Sequence, residues 1–227
     1  MRNPTRQLPL DFAPQPSFAR ADFLRAAGNA GALDAVEAWP AWPADRLMIV
    51  GPEGSGKSHL GAIWSARAGA FAVHAKAPEP ALFESASFPP AIFIDDADGV
   101  GDAEAALFHM LNAARGAGAS VLLTARRRPD FWGLRTPDLL SRLRAAPLIE
   151  LGSPDDALVE AILVKLLADR QLSADPIVLA YVTARVERSG EALRAFVGRL
   201  DSEALARGTR ITRALAGHVL DTGDEKS

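Results

Sequence analysis

The chain has no cysteine anywhere in its 227 residues. Disulfides and thiolate metal sites are therefore excluded, a composition that suits the reducing cytosol. It also has no surplus of positive charge: 25 Lys and Arg stand against 28 Asp and Glu, for a formal net charge of −3. A domain that lives by gripping DNA phosphates is usually basic, so any nucleic-acid role is expected to be local or indirect. No apolar run approaches the roughly 20 residues of a membrane span. Arg2 and Arg6 precede a proline-broken stretch and not an apolar signal core. The expected location is the cytoplasm, with no membrane partner. What is plentiful is apolar content, 48% against 23% charged. That composition and length suit a globular chain of one large or two small domains.

The stretch around which the chain is organised runs Leu47-Met48-Ile49-Val50-Gly51-Pro52-Glu53-Gly54-Ser55-Gly56-Lys57-Ser58-His59-Leu60. It reads as a short apolar strand, a glycine-rich turn and the start of a helix. Gly51, Gly56, Lys57 and Ser58 fit G-x-x-x-x-G-K-[ST], the phosphate-binding loop. A polyphosphate needs many N–H donors at close range, and glycine lets the backbone curl tightly enough to supply them. The following helix aims its positive end at the phosphates. Lys57 is placed to reach the β- and γ-phosphates and the Ser58 hydroxyl to hold Mg²⁺. Gly54, Ser55 and His59 belong to the same turn and helix start and are assigned to the nucleotide site with them.

Residues 1–17 contain Pro4, Pro9, Pro14 and Pro16, which rule out a helix or a central strand. An extended tail is expected. Within it, Gln7-Leu8-Pro9-Leu10-Asp11-Phe12 carries two leucines and a phenylalanine. Either these fold back onto the chain's own body or they form a linear peptide for a partner's pocket; the residues alone leave both open. From Phe18 to Pro43, Asn29 is a candidate cap for a helix from about Gly31 to Trp39. Trp39 and Trp42 either pack in the core or flank a nucleotide base.

From 47 to 151, strand and helix patterns alternate. Strands are expected at 47–50, 71–75, 91–95, 120–124 and 147–151, with helices at about 57–68, 103–116 and 137–144. Apolar strands separated by helices predict a parallel sheet covered on both faces, and such sheets bind ligands at their strands' carboxyl ends. From 153 to 220 no strand pattern survives. Ser153-Pro154-Asp155-Asp156 is a helix start signal, and helices are expected near 154–170, 175–187, 190–206 and 211–220. The expected organisation is a tail (1–17), an α/β nucleotide-binding domain (18–152), an all-helical lid (153–220) and a polar C-terminal tail (221–227).

Ile92-Phe93-Ile94-Asp95-Asp96 is an apolar strand ending in two acids. Downstream of a phosphate loop this is a Walker B pattern. Asp95 is expected to order the Mg²⁺ shell and Asp96 to orient or deprotonate the attacking water. Thr124 ends the fourth strand, where its hydroxyl either holds a water against the γ-phosphate or caps the strand. Leu139-Leu140-Ser141-Arg142-Leu143-Arg144 is a short helix with two arginines. Arg142 is either a solvated residue or one that reaches a phosphate, its own or a neighbour's, and stabilises the charge of transfer. Arg126, Arg127 and Arg128 read as a solvated basic loop. In the helix that begins at Gly190, Leu193, Phe196, Val197 and Leu200 form an apolar stripe, and Arg194 beside it can fold over the nucleotide.

With these pieces in order, the chain resembles the AAA+ ATPases of the bacterial initiator clade, and within it the Hda-type regulators that are homologous to DnaA, in their short alphaproteobacterial form. The resemblance implies an AAA+ P-loop NTPase fold: a five-stranded parallel sheet of order 5-1-4-3-2 with helices on both faces, then a small helical lid. It implies that Phe18 to Trp39 leads into the fold and lines the adenine, that Thr124 is sensor 1, Arg142 the arginine finger and Arg194 the sensor 2 arginine. It implies ADP or ATP with Mg²⁺ as cofactors. Gln7, Leu8, Pro9, Leu10, Asp11 and Phe12 look like the peptide that docks on the β sliding clamp of DNA polymerase III. DnaA continues into a helix-turn-helix domain, of which this sequence carries none after the lid. The function implied is stimulation of ATP hydrolysis on DnaA by a clamp-bound regulator, with Arg142 acting in trans, DNA contacted only through the clamp, and a homodimer possible. Asp96 stands where many AAA+ hydrolases have glutamate, which implies weak turnover of the chain's own nucleotide. The alternative is a stand-alone ATPase that acts on DNA as a helicase loader or transposition helper.

Overall fold

A computed structural model describes residues 18–75 and 88–224. The candidate clamp peptide from Gln7 to Phe12 and the C-terminal residues 225–227 lie outside them.

The five strands are β1 (Arg46–Val50), β2 (Phe71–His74), β3 (Ala91–Asp95), β4 (Ser120–Ala125) and β5 (Leu148–Glu150). All their pairings are parallel, in the order β2-β3-β4-β1-β5. This is the expected 5-1-4-3-2 order, read from the opposite edge. A parallel neighbour requires a crossover, and α-helices α1 (Ala30–Glu37), α2 (Lys57–Ala68), α3 (Glu104–Ala117) and α4 (Pro137–Arg144) cover the two faces.

Side chains alternate across a strand, and the core divides accordingly. Leu47 and Ile49 of β1 pack with Leu33 and Val36 of α1 and Leu60, Ile63 and Trp64 of α2. Met48 and Val50 turn the other way, onto Leu107, Met110 and Leu111 of α3 and Leu139 and Leu143 of α4. Trp39 and Trp42 belong to the first layer: Trp42 stacks on buried Trp64 at 5.3 Å and Trp39 meets it edge-on at 6.1 Å. Both rings are half-buried and pack against the core. Helix α2 lies so close to the sheet that a Cβ on Gly61 would come within 2.0 Å of the Phe93 ring.

The lid follows as α5 (Asp156–Ala168), α6 (Pro176–Thr183), α7 (Gly190–Arg207) and α8 (Arg213–Asp224), around a core that includes Val159, Leu163, Leu193, Phe196, Val197 and Leu200. Several boundaries differ from expectation. Helix α5 starts at Asp156 because Asp155 is its cap and accepts from the Leu158 amide at 2.8 Å; Pro154 therefore precedes the helix. Asn29 precedes α1 without capping it. Its amide oxygen accepts from the Ala26 N–H at 2.8 Å and its Nδ2 donates to the Leu24 carbonyl at 2.9 Å, which fixes the turn before the helix. Helix α6 ends at Thr183, leaving room for the turn that leads to Ser189, the side-chain cap of α7. Helix α8 runs to Asp224, past the expected boundary at 220.

Replacing Gly61 with alanine is expected to force Phe93 out of its place. The expected loss is about 1–3 kcal/mol, a drop in Tm of roughly 2–4 °C per kcal/mol for a chain of this length. Thermal unfolding measures it, and Phe93→Leu in the same chain should recover part of the loss.

Candidate functional site

The turn after β1 approaches the lid closely. Gly54 has φ 73°, and a Cβ there would lie 2.5 Å from Cβ of Ser189, the α7 cap. Only glycine meets both the conformation and the space. The turn ends at Gly56, φ 99°, from which α2 begins at Lys57. Lys57 is 6% exposed, and its ammonium donates to the Pro52 carbonyl at 2.7 Å. Burial pushes its pKa down, against the opposing pull of Asp96, Asp95 and Asp98. The Ser55 hydroxyl is buried with no hydrogen-bond partner. A buried cation and an orphaned hydroxyl in a turn at a helix N-terminus fit a polyphosphate.

Register places the acids beside this turn. Asp95 ends β3, and Ile49 of β1 is level with Thr124 of β4. Asp95 Oδ1 accepts from the Ser58 hydroxyl at 3.2 Å and, more closely, from the Thr124 hydroxyl. Thr124 is fully buried, and its Oγ1 also accepts from the Asp96 amide at 3.1 Å. The Thr124 hydroxyl therefore braces the end of β3 on both sides. Asp96 has φ 48°, in the left-handed region that an aspartate enters at a cost. The oxygen donors Ser58, Asp95 and Asp96 fit a hard cation such as Mg²⁺.

His74 was not legible as a site residue in the sequence. Parallel register pairs it with Asp95, and one ligand atom from each of His74, Asp95 and Asp96 lies within 4.8 Å of the others. The signal that could have found it is its position at the carboxyl end of β2.

The segment before α1 is fastened both to α2 and to the lid. Phe18 and Phe23 meet the His59 ring edge-on, at 5.4 and 5.2 Å. The Ala19 carbonyl lies 3.0 Å from His59 Nε2, which makes Nε2–H the donor tautomer. Lys165 of α5 reaches Asp22 at 2.7 Å. Arg194 of α7 lies over the Phe18 ring at 6.0 Å, and its charge opposes protonation of His59. The lid, the phosphate loop and this segment thus converge on one place.

Arg142 is not with these residues. Its guanidinium sits 5.0 Å over the Phe108 ring and lines a cavity with Arg46, the first residue of β1. The phosphate loop leaves the other end of that strand, about 16 Å away at the usual rise per residue. Arg126 and Arg128 are exposed and ion-paired, to Glu53 and Glu150. Among the described residues, no helix is long and apolar enough to cross a membrane.

No protein-family model matches the chain. No curated protein matches it. Solved structures do. Domain III of the Thermotoga maritima replication initiation protein DnaA superposes with a TM-score of 0.78 at 20% identity, over 92% of this chain and 97% of that one. AMPPCP-bound DnaA from Aquifex aeolicus gives 0.70 at 19%, over 84% of this chain and 66% of that one. The Thermotoga maritima RuvB Holliday junction branch migration motor gives 0.71 at 16%, over 91% and 72%. At these identities the likeness is one of fold. The chain has the AAA+ P-loop NTPase fold.

Thr124→Val would keep the shape but leave the Asp96 amide without its acceptor and Asp95 without one donor. A loss of about 1–3 kcal/mol is expected in urea unfolding. His59 supplies a pH test. Burial, its largest influence, holds its pKa below the ordinary 6.5, and Arg194 adds to that. The unfolded chain therefore binds more protons just below that value. The contribution is fully present above 6.5 and declines as pH falls towards the folded pKa. His59→Gln should flatten the stability–pH curve on the acid side of 6.5; an unchanged slope would locate the effect elsewhere.

Proposed function

We propose that the chain is a nucleotide-binding regulator of replication initiation. It holds ADP or ATP with Mg²⁺, docks on the β sliding clamp of DNA polymerase III through Gln7–Phe12, and from there stimulates ATP hydrolysis by the initiator DnaA. Initiation is then not repeated in the same cycle.

In this reading the amides of Glu53, Gly54 and Gly56 and the Lys57 ammonium hold the phosphates, with the Ser55 hydroxyl supplying a further donor. Ser58 and Asp95 hold the metal shell, which neutralises charge on the phosphates, and Thr124 keeps Asp95 in place. Phe18, His59 and Arg194 enclose the nucleotide between the leading segment and the lid. Asp96 positions water, and its short side chain keeps the chain's own turnover slow. The observation that supports a role in trans is the place of Arg142, at the opposite end of β1 from its own phosphate loop. A charge developing on a phosphoryl group within its reach belongs to another subunit, either the initiator or a second copy in a homodimer. The net charge of −3 favours contact with DNA through the clamp.

Lys57→Ala should lower affinity for a fluorescent ADP at least tenfold. Leu10→Ala with Phe12→Ala should abolish clamp binding in a pull-down while leaving ADP affinity unchanged; unchanged clamp binding would remove the role given to the tail. Arg142→Ala should reduce stimulated hydrolysis on DnaA at least tenfold. DNA-stimulated turnover by this chain alone would instead support a loader or remodeller.

A further inference from the structure

Arg142 does not line its cavity alone. Arg46 from the start of β1, Arg115 from the last turn of α3 and Arg142 from α4 surround a space of about 440 Å³, with Asp138 and Ser141 on its wall and Phe108 beneath Arg142. Arg20, Arg25, Arg126, Arg128, Arg135 and Arg144 each pair with a carboxylate. Among the described residues none of the three cavity arginines does, and Arg142 Nη1 is buried with no hydrogen-bond partner. Burial works against the Arg46 cation, and the charges of Arg142 and Arg115 add to this; Asp45 opposes them.

Three cations brought together against a single lining carboxylate repel one another, and the repulsion grows as water is excluded. An anion of more than one charge relieves it. Guanidinium forks suit planar, bidentate recognition of phosphate. Three of them offer more donors than the two oxygens of a carboxylate can take, whereas a terminal phosphoryl group presents three oxygens and up to two charges.

We propose that this cavity is a phosphoryl-binding pocket in which Arg46 and Arg115 act together with Arg142, and that its occupant is the terminal phosphoryl group of a nucleotide held by a neighbouring subunit. The choice of that source over a free phosphate rests on the trans role given to Arg142 above. Arg46 and Arg115 then gather and orient the group whose charge Arg142 meets.

The test has two arms. In the first, the full chain with its phosphate loop saturated by ADP is titrated with pyrophosphate, and the arginine Nε–H resonances are followed by NMR. Saturable shifts are expected, weakened at least tenfold by Arg46→Gln or Arg115→Gln; Arg46→Lys, which keeps the charge but not the fork, should fall between. Unfolding midpoints of the variants verify that each still folds. Absence of saturable binding by the folded wild-type chain would overturn the pocket. In the second arm, hydrolysis on the initiator is measured with each variant. Arg46→Gln and Arg115→Gln should lower the stimulated kcat at least tenfold with the half-saturating concentration of this chain within twofold. If Arg142→Ala abolishes stimulation but neither glutamine variant changes it, the pocket's role in hydrolysis is overturned while the regulatory reading stands. If Arg142→Ala is without effect, that reading fails. Pyrophosphate binding with unchanged hydrolysis would assign the pocket to a free anion and overturn the neighbouring nucleotide as its source.

Discussion

Burial of a parallel sheet on both faces is the constraint from which the rest follows. Its backbone hydrogen bonds can be satisfied only strand to strand, and each parallel neighbour must be reached by a crossover. Every strand therefore points the same way, and the ends of β1, β3 and β4 fall level. That is what sets Ser58 and Thr124 within hydrogen-bond distance of Asp95. The three residues come from separate elements, yet each has one position it can take once the register is fixed. Thr124 closes the arrangement by serving both Asp95 and the Asp96 amide.

The same constraint separates two sets of cations by the length of β1. Lys57 and Arg194 belong to the end that carries the phosphate loop. Arg46, Arg115 and Arg142 belong to the other. A single subunit cannot bring the two sets together, so a reaction that needs both calls for a neighbour. The lid and the segment from Phe18 to Phe23 are tied to the first end only, through His59, Lys165 and the contact of Gly54 with Ser189.

Much of this was readable from residue order. The phosphate loop is a contiguous motif whose letters report their own chemistry, and the apolar strands are long enough for their alternation with helices to give the sheet. Strand order came from the resemblance and not from the pattern, because periodicity is silent about which strand lies beside which. The differences fell where several short polar side chains compete for one role: Asn29 stands at the N-cap position of α1 but its side chain braces the preceding turn, and among Ser153, Asp155 and Asp156 it is Asp155 that caps α5. His74 and the group of Arg46, Arg115 and Arg142 went unseen for another reason. Their members are far apart in the chain, and only register and crossover bring them together.

The central claim is that this chain acts on a neighbour's nucleotide while anchored to the clamp. The most direct measurement is single-turnover hydrolysis of ATP preloaded on the cognate initiator, with this chain present and clamp-loaded DNA either added or withheld. The account predicts acceleration only when the clamp is there. No acceleration in either condition, with turnover by this chain itself rising on bare DNA, would contradict it.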